Sequence, residues 1–226
     1  MYIPAHFREE RVEVVHQLIH DYRFATLVTL GPEGLIANHI PLLLSREPAP
    51  LGSLRGHMAR PNPQWRDSRT DVEALAIFHG PHTYISPSWY PTKRDTGRVV
   101  PTWNYAVVHA CGPLQIFDDP NALEEHVREM VNLQEAGFET PWSVDEAPAE
   151  YIRGMINGIV GVEIPIRRLE GKWKMSQNRP FADRAGAIAG LRACNDPNSL
   201  AVADLIAERE GTRQDSLQPP SPDIVK

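Results

Sequence analysis

The chain has 226 residues, of which 42% are hydrophobic and 23% charged, and its formal net charge at pH 7 is −6. This is the composition of an ordinary globular protein that is long enough to bury a substantial core. The acidic balance gives no whole-chain footprint for binding a nucleic-acid backbone, and no window approaches the roughly 18 apolar residues of a membrane span.

The first 80 residues predict a surface helix followed by antiparallel strands. Apolar side chains recur at helical spacing between Arg8 and Tyr22, with charge on the opposite face. From Phe24 the pattern changes to alternation, and Gly31-Pro32-Glu33-Gly34 has the composition of a turn, so a β-hairpin is predicted there. Four strands are predicted at residues 24–30, 35–44, 53–57 and 72–78, with one helical turn at residues 62–67.

The stretch His79–His109 reads HGPHTYISPSWYPTKRDTGRVVPTWNYAVVH. It is rich in Trp, Tyr, Pro and His, which make a poor core because the aromatic polar groups need partners and proline cannot donate to a β-ladder. We predict that this stretch shapes a surface or a pocket. The alternative is a long structured loop whose aromatic side chains pin it to the sheet below.

The second half predicts strands and helices in mixed order. A long strand covers residues 103–117 with a break at Gly112-Pro113, and Asp119 followed by Pro120 is typical of a helix start. Further helices are predicted at residues 148–157, 182–194 and 199–210, and a strand pair at residues 159–169 and 172–176 around Glu170-Gly171. Residues 1–195 are predicted to form one domain with inserted helices, residues 196–210 a C-terminal helix, and residues 211–226 a disordered tail.

Six or seven strands joined mostly by hairpins indicate an α+β protein built around an antiparallel barrel. No strand is followed by a glycine-rich dinucleotide fingerprint or a P-loop. The edges and loops of the barrel would therefore have to hold any ligand.

Three polar-aromatic clusters follow strand ends, at residues 56–65, 101–109 and 171–180. Each combines a tryptophan with amide or cationic side chains, which suits a planar heteroaromatic ligand that carries a phosphate. Arg60, Lys174 and Arg179 are the candidate phosphate cations. For each of them, a surface ion pair is the alternative.

Other site types receive less support. His79 and His82 have no further ligand at a recognised metal-binding spacing, and no G-x-S-x-G motif surrounds a serine. The two predicted C-terminal helices have too few basic residues for a DNA-reading helix pair. Cys111 and Cys194 are too few for a disulfide framework, and we expect both to be buried small apolar side chains. With no signal-peptide pattern at the N-terminus, we expect a cytoplasmic protein.

Four longer motifs carry a specific resemblance: MYIPAHF, ALAIFHGPHTYISPSWY, VVPTWNYAVVHACGPL and GIVGVEIPIRRLEGKWKMSQNR. In this order, over residues 1–195, the chain resembles the PaiB family of FMN-binding negative transcriptional regulators. The resemblance implies a split antiparallel β-barrel of the FMN-binding, pyridoxamine-phosphate-oxidase-like type with peripheral helices. It also implies a homodimer with FMN held between the subunits.

The resemblance implies roles for four groups of residues in cofactor binding. Strand backbone at the flavin edge would come from Asn38, His39 and Ile40. A turn over the phosphate would come from Gly56, His57, Met58, Ala59, Arg60 and Asn62. The partner subunit would contribute Thr102, Trp103 and Asn104, and the site would be closed by Lys174, Gln177, Asn178 and Arg179. Pro61 departs from the family pattern and would stiffen the phosphate turn.

Two function classes stay open at this point. The first is a flavin-dependent regulator, although the net charge gives no support for DNA as a partner. The second is an oxidoreductase that uses flavin or, as related split barrels do, haem, with His39, His57 or His109 as the axial ligand. A regulator predicts a salt-sensitive DNA complex, whereas an oxidoreductase predicts turnover of a reduced nicotinamide or of haem. The sequence names no catalytic residue.

Overall fold

The computed structural model describes residues 1–215. The chain divides into two compact units. The first unit comprises Met1 with residues 10–79 and 108–171, and the second comprises residues 2–9, 80–107 and the chain from residue 172 onward. Three strands run from one unit into the other along the chain.

Nine strands form one sheet in the order β1-β9-β6-β5-β2-β3-β4-β8-β7. Their bounds are β1 Arg8–Glu9, β2 Phe24–Gly31, β3 Gly34–Ser45, β4 Ser53–Ala59, β5 Ala74–Ile85, β6 Thr102–Gly112, β7 Gln115–Phe117, β8 Ile159–Pro165 and β9 Arg168–Lys174.

Seven α-helices accompany the sheet within the described residues. They are α1 Val12–Asp21, α2 Gln64–Asp67, α3 Thr92–Thr96, α4 Pro120–Glu135, α5 Ala149–Asn157, α6 Phe181–Cys194 and α7 Pro197–Asp215. Short 3-10 turns cover Ala5–Phe7, Pro87–Trp89 and Val144–Glu146. Among the described residues, no helix is both long and apolar enough to cross a bilayer.

The first unit is centred on the hairpin β2–β3 and the strands that continue from it. The hairpin register runs from Phe24 opposite Pro41 to Gly31 opposite Gly34. Strand β4 pairs with β3 on one side and with β8 on the other, and all of these pairings are antiparallel. Alternate residues of these strands, such as Leu27, Leu42 and Leu54, have no exposed surface and form the core.

The second unit packs helices α6 and α7 together. Leu191 of α6 and Val202 of α7 are fully buried, as expected for apolar faces that cover each other. Helix α7 is also tied to β1, because Arg209 donates a hydrogen bond of 2.7 Å to the carboxylate of Glu9, which is 6% exposed. The guanidinium of Arg209 lies over the Trp173 ring at 5.4 Å.

Several predicted elements are confirmed. The hairpin turns at the predicted glycine-rich sequence, and α2 lies inside the predicted helical turn. Helix α4 begins as predicted, with the side chain of Asp119 accepting a 2.9 Å hydrogen bond from the Ala122 amide and Pro120 in the first turn. Helix α5 ends at Asn157, before Gly158.

Two strand predictions are wrong. Strand β5 does not stop at Phe78 but continues to Ile85, so the first part of the predicted loop is strand. The last two strands turn at residues 166–167 rather than at Glu170-Gly171, and they do not form a hairpin. Strand β8 lies between β4 and β7 instead, because its alternating Val160, Val162 and Ile164 bury one face of that part of the sheet.

Two smaller predictions also differ from the structure. Cys111 is buried as expected, but Cys194 is exposed because it lies in the last turn of α6. Helix α7 continues through Asp215, past the predicted boundary at residue 210. Residues 216–226, most of the predicted tail, lie outside the described residues.

Candidate functional site

In the first unit, the predicted flavin-edge residues follow one another on β3. The Asn38 amide donates a 2.8 Å hydrogen bond to the side-chain oxygen of Gln64, which has no exposed surface. The Gln64 amide nitrogen in turn donates to the Leu27 carbonyl at 3.2 Å and to the Thr29 hydroxyl at 3.1 Å. The Asn62 side chain accepts a 3.0 Å bond from the Gln64 backbone. Gln64 therefore orients two predicted site residues.

The neighbouring predicted residues differ in exposure. His39 is exposed, and its ring nitrogen lies 3.0 Å from the Thr26 hydroxyl, whereas Ile40 is 7% exposed. On β4, Met58 is buried and Ala59 is exposed. Gly56 passes so close to β3 that a Cβ there would lie 2.7 Å from the Pro41 carbonyl oxygen, which explains the glycine without a ligand.

His57, which is half-buried, pairs with a fully buried residue that the sequence did not single out. Its Nδ1 lies 3.2 Å from Nε2 of His126 on α4, and His126 has no exposed surface. Burial lowers the pKa of His57. Burial, followed by the nearby His57 and Arg55, lowers the pKa of His126 to about 4. At neutral pH both rings are uncharged, and the N–H of one ring donates a hydrogen bond to the ring nitrogen of the other.

Arg60, a predicted phosphate cation, is held by partners inside the first unit. Its guanidinium makes two hydrogen bonds to the Asp118 carboxylate, at 2.6 and 2.9 Å. It also donates to the Asn157 carbonyl at 2.8 Å and to the Ile159 carbonyl at 2.7 Å. Hydrogen bonds from Arg60 lower the pKa of Asp118. In this arrangement Arg60 caps the end of α5 and its charge is already neutralised.

In the second unit, predicted residues line one cleft of about 90 Å³. Its polar lining consists of Thr102, Asn104, Lys174, Ser176, Asn178 and Arg179. Asn104 has no exposed surface and donates a 2.9 Å hydrogen bond to Ser176. Lys174 donates to the Thr102 hydroxyl and, at 2.6 Å, to the Trp103 carbonyl. Five of the seven predicted residues of this unit therefore meet at one place.

The other two predicted residues of the second unit have different positions. Gln177 organises the turn after β9, accepting a 2.7 Å bond from the Met175 amide and donating a 2.6 Å bond to the Trp173 carbonyl. The side chain of Trp103 is 53% exposed. It lies beside His82 and Tyr84, with ring centroids 6.2 and 6.4 Å apart, and Tyr84 is 46% exposed. These three rings form an exposed aromatic cluster.

Sequence reasoning missed four residues that support these sites. Gln64 and Ser176 lie inside two of the polar-aromatic clusters but were not selected, and the φ of Ser176, 60°, is a backbone feature that the sequence does not signal. His126 and Tyr90 come close to the predicted residues only through folding. Among the described residues, no group of three or more His, Cys, Asp or Glu side chains is arranged to hold a metal ion.

The chain is similar to known proteins along most of its length. Residues 1–168 match the family model described as "Putative FMN-binding domain". The chain is 32% identical to "Protease synthase and sporulation protein PAI 2" of Bacillus subtilis, over 92% of this chain and 98% of that protein. It is 34% identical to protein AN0679 of Emericella nidulans, over 92% of this chain and 97% of that protein.

Two solved structures share its fold. A conserved protein of Mycobacterium tuberculosis, Rv2991, has a TM-score of 0.56 at 16% identity, over 80% of this chain and 95% of that chain. The FAD and haem binding protein of Mycobacterium smegmatis has a TM-score of 0.55 at 12% identity, over 74% of this chain and 73% of that chain. With the antiparallel sheet and its helices, the predicted α+β split-barrel fold is confirmed.

Proposed function

Because the chain belongs to the FMN-binding domain family, we propose that it binds FMN and acts through the bound flavin. The observation that carries this proposal is the exposed cluster of Trp103, Tyr84 and His82. Aromatic faces of this size, left in contact with solvent, suit stacking against a planar ring system. In the first unit, the Asn38 side chain held by Gln64 and the backbone of β3 supply polar groups for a ring edge.

A bound flavin supplies hydride or single-electron transfer, which the side chains of this protein do not provide. The contribution of the chain is to bind and orient it. The Asn38 side chain cannot rotate freely, because the side-chain oxygen of Gln64 accepts a hydrogen bond from its amide group. Lys174 is likewise fixed by Thr102 and the Trp103 carbonyl. Groups fixed before binding lose less conformational entropy when the ligand arrives.

FMN added to the purified protein is expected to give a saturable change in flavin fluorescence and a shifted visible spectrum. The control is haem added under the same conditions, followed by its Soret band. A Soret band with no flavin response would contradict the FMN proposal and favour a haem-handling protein. A response to neither ligand would mean that the protein has the family fold but does not bind the proposed cofactor.

We also propose that the protein is a homodimer formed through one face of the β2–β3–β5 sheet in the first unit. This face carries Phe24, Val28, Leu30, Leu35, Ala37, Leu75 and Ile77, as the strand register places them. Phe24 is 68% exposed and Leu35 79% exposed. The same register also places Thr26, His39 and Pro41 on this face, so none of the residues that it places there is acidic, lysine or arginine. A second copy therefore meets it without like-charge repulsion, as an isologous interface requires.

Ala37→Glu is expected to convert the dimer to a monomer in sedimentation velocity at micromolar concentration. Ala37 is exposed and lies opposite Val28, so a glutamate there would add a charge to the apolar face of each copy, and that charge would have to be desolvated in the dimer. Phe138→Glu is the matched control, since Phe138 is 65% exposed away from this face. A monomeric parent protein, or a dimer that survives Ala37→Glu, would rule out this interface.

Direct reading of DNA is not part of the proposed function. On the α6–α7 pair, Arg192 forms a 3.1 Å ion pair with Asp204, so its charge is already partnered. Any effect of the chain on transcription would then depend on its flavin and on other partners. A specific, salt-sensitive shift of a DNA fragment by the purified protein would contradict this view.

A further inference from the structure

The cleft of the second unit is positively charged and contains no acidic side chain. Two of its polar lining residues are the cations Lys174 and Arg179, and the other four are uncharged. Among residues 1–209, neither cation forms an ion pair with a carboxylate. Protein cations are usually paired or fully solvated, so two half-buried and unpaired cations at one cleft indicate an anion as the missing partner.

Lys174 is positioned by acceptors that carry no charge. Its ammonium group donates to the Thr102 hydroxyl and to the Trp103 carbonyl, and neither bond neutralises it. Burial, followed by the neighbouring Lys172 and Arg179, lowers the pKa of Lys174. A bound anion would relieve this repulsion and keep the ammonium group charged.

A buried hydroxyl without a partner lies beside the same cleft. Tyr90 is 2% exposed, and its hydroxyl has no hydrogen-bond partner of normal geometry among the described residues. The Arg179 guanidinium lies 5.2 Å from the Tyr90 ring centre. Burial raises the pKa of Tyr90, the charge of Arg179 and hydrogen bonding with Ser176 lower it, and the buried carboxylate of Asp183 raises it. Leaving such a donor unpaired in the interior is unfavourable, and an anionic oxygen would be its acceptor.

The size of the cleft limits what it can hold. Its volume of about 90 Å³ exceeds the roughly 10–15 Å³ that one water molecule needs and is well below the roughly 300–1,000 Å³ of pockets that enclose drug-sized ligands. A tetrahedral oxyanion therefore suits this cleft better than a three-ring flavin system. In FMN a ribityl chain separates the two groups, so the phosphate alone would occupy the cleft.

We infer that this cleft binds the dianionic phosphate of a phosphate monoester. Lys174 and Arg179 supply the positive charge, and the Tyr90 hydroxyl donates a hydrogen bond from below. The identity of the monoester as FMN rests on the proposed function; the anion site itself does not. The inference also reassigns the phosphate cation from Arg60, which Asp118 already neutralises, to Lys174 and Arg179.

The test compares FMN with riboflavin, which lacks the phosphate, by fluorescence titration. In the parent protein FMN is expected to bind at least tenfold more tightly than riboflavin. Lys174→Met and Arg179→Met are each expected to reduce this ratio to below about threefold while riboflavin affinity stays constant. Arg192→Met, which removes an exposed arginine elsewhere in the second unit, is the control and keeps the ratio. Tyr90→Phe is expected to give a smaller loss of the ratio.

A second measurement is thermal stabilisation by inorganic phosphate alone. It tests the anion site separately from the proposal that the bound monoester is FMN. If FMN binds and the ratio is unchanged in both Lys174→Met and Arg179→Met, the cleft is not the phosphate site, although the proposed function stands. If neither flavin binds but phosphate stabilises the parent protein and not Lys174→Met, the anion site stands with a different monoester. If phosphate and FMN both have no effect, both proposals fail.

Discussion

Gly186→Ala is expected to destabilise the protein by about 3 kcal/mol, whereas Gly154→Ala is expected to stabilise it by about 0.5–1 kcal/mol. Both glycines lie inside α-helices, α6 and α5 respectively. A Cβ at Gly186 would lie 2.1 Å from the backbone oxygen of Trp89, so backbone would have to move. At Gly154 no atom lies within 4 Å of the added Cβ, and the loss of glycine flexibility in the unfolded chain dominates.

The two variants are compared by urea unfolding followed by circular dichroism. Both variants replace glycine with alanine inside a helix. Opposite signs of the change in unfolding free energy would therefore report the packing of the 3-10 turn at residues 87–89 against α6. Gly190 supports this packing, since its Cβ would lie 2.4 Å from the Trp89 ring. If Gly186→Ala were as stable as the parent protein, the backbone of Trp89 would not pack against Gly186.

This packing is also relevant to the cleft. Trp89 precedes Tyr90, and the Thr92 amide donates a 3.1 Å hydrogen bond to Asp183 of α6, which is fully buried. Helix α6 therefore fixes the segment that places the Tyr90 hydroxyl beside Ser176 and Arg179. We expect Gly186→Ala, where it still folds, to weaken the preference for FMN over riboflavin as well.

The sequence predicts the local parts of this fold well. Alternation, turn glycines and the acidic helix cap act over a few residues, and the β2–β3 hairpin and the start of α4 follow from them directly. Strand β5 was underestimated because Gly80-Pro81 is typical of a turn, yet both residues are buried inside a strand that continues to Ile85. Sheet order depends on contacts between distant strands, and the position of β8 between β4 and β7 therefore could not be deduced from its neighbour in the chain.

The candidate site was predicted as a set of residues, but not as a set of contacts. The motif KMSQNR predicts a role for Lys174 and Arg179, since cations among amides and aromatics suit a phosphorylated ligand, and this role stays a prediction. The role of Arg60 could not be read in the same way, because Asp118 lies 58 residues away and meets it only through folding. The Asn104–Ser176 bond joins residues 72 apart for the same reason.

The same limit explains why His126 was missed. The sequence of α4 has apolar residues at helical spacing and so predicts an inward face made of Leu123, Val127, Met130 and Val131. In the structure the buried residues are Leu123, His126 and Met130, because the imidazole of His57 on β4 gives His126 a polar partner. A histidine at a core position becomes predictable only when that partner is known.

The His57–His126 pair is expected to make the protein lose about 3 kcal/mol of stability as the pH falls from 6.5 to 4. The pKa of His126 falls from 6.5 when unfolded to about 4 when folded. Between these two values the unfolded chain binds a proton that the folded chain does not, so acid favours unfolding. Above pH 6.5 neither state is protonated, and below pH 4 both are, so the loss is confined to this window. The lowered pKa of His57 acts in the same direction.

The charges around the pair explain why the folded state resists protonation. The Arg55 guanidinium lies 4.7 Å from the centre of the Phe117 ring, and the Phe117 ring packs against His126 at 6.1 Å. The carboxylate of Glu163 lies 3.8 Å from the Arg55 guanidinium and forms an ion pair with it. A proton on His126 would therefore meet the positive charge of Arg55 and apolar surface, which both disfavour the charged form.

The measurement is the free energy of urea unfolding of the parent protein and of His126→Leu at several values between pH 4 and pH 7.5. Leucine keeps the buried volume and removes the titration, so the variant is expected to lose much less stability across the window. Carboxylates elsewhere contribute equally to both proteins and cancel in the difference between the two curves. If the two curves were parallel, His126 would not be held neutral, and its burial against His57 would carry no pH dependence.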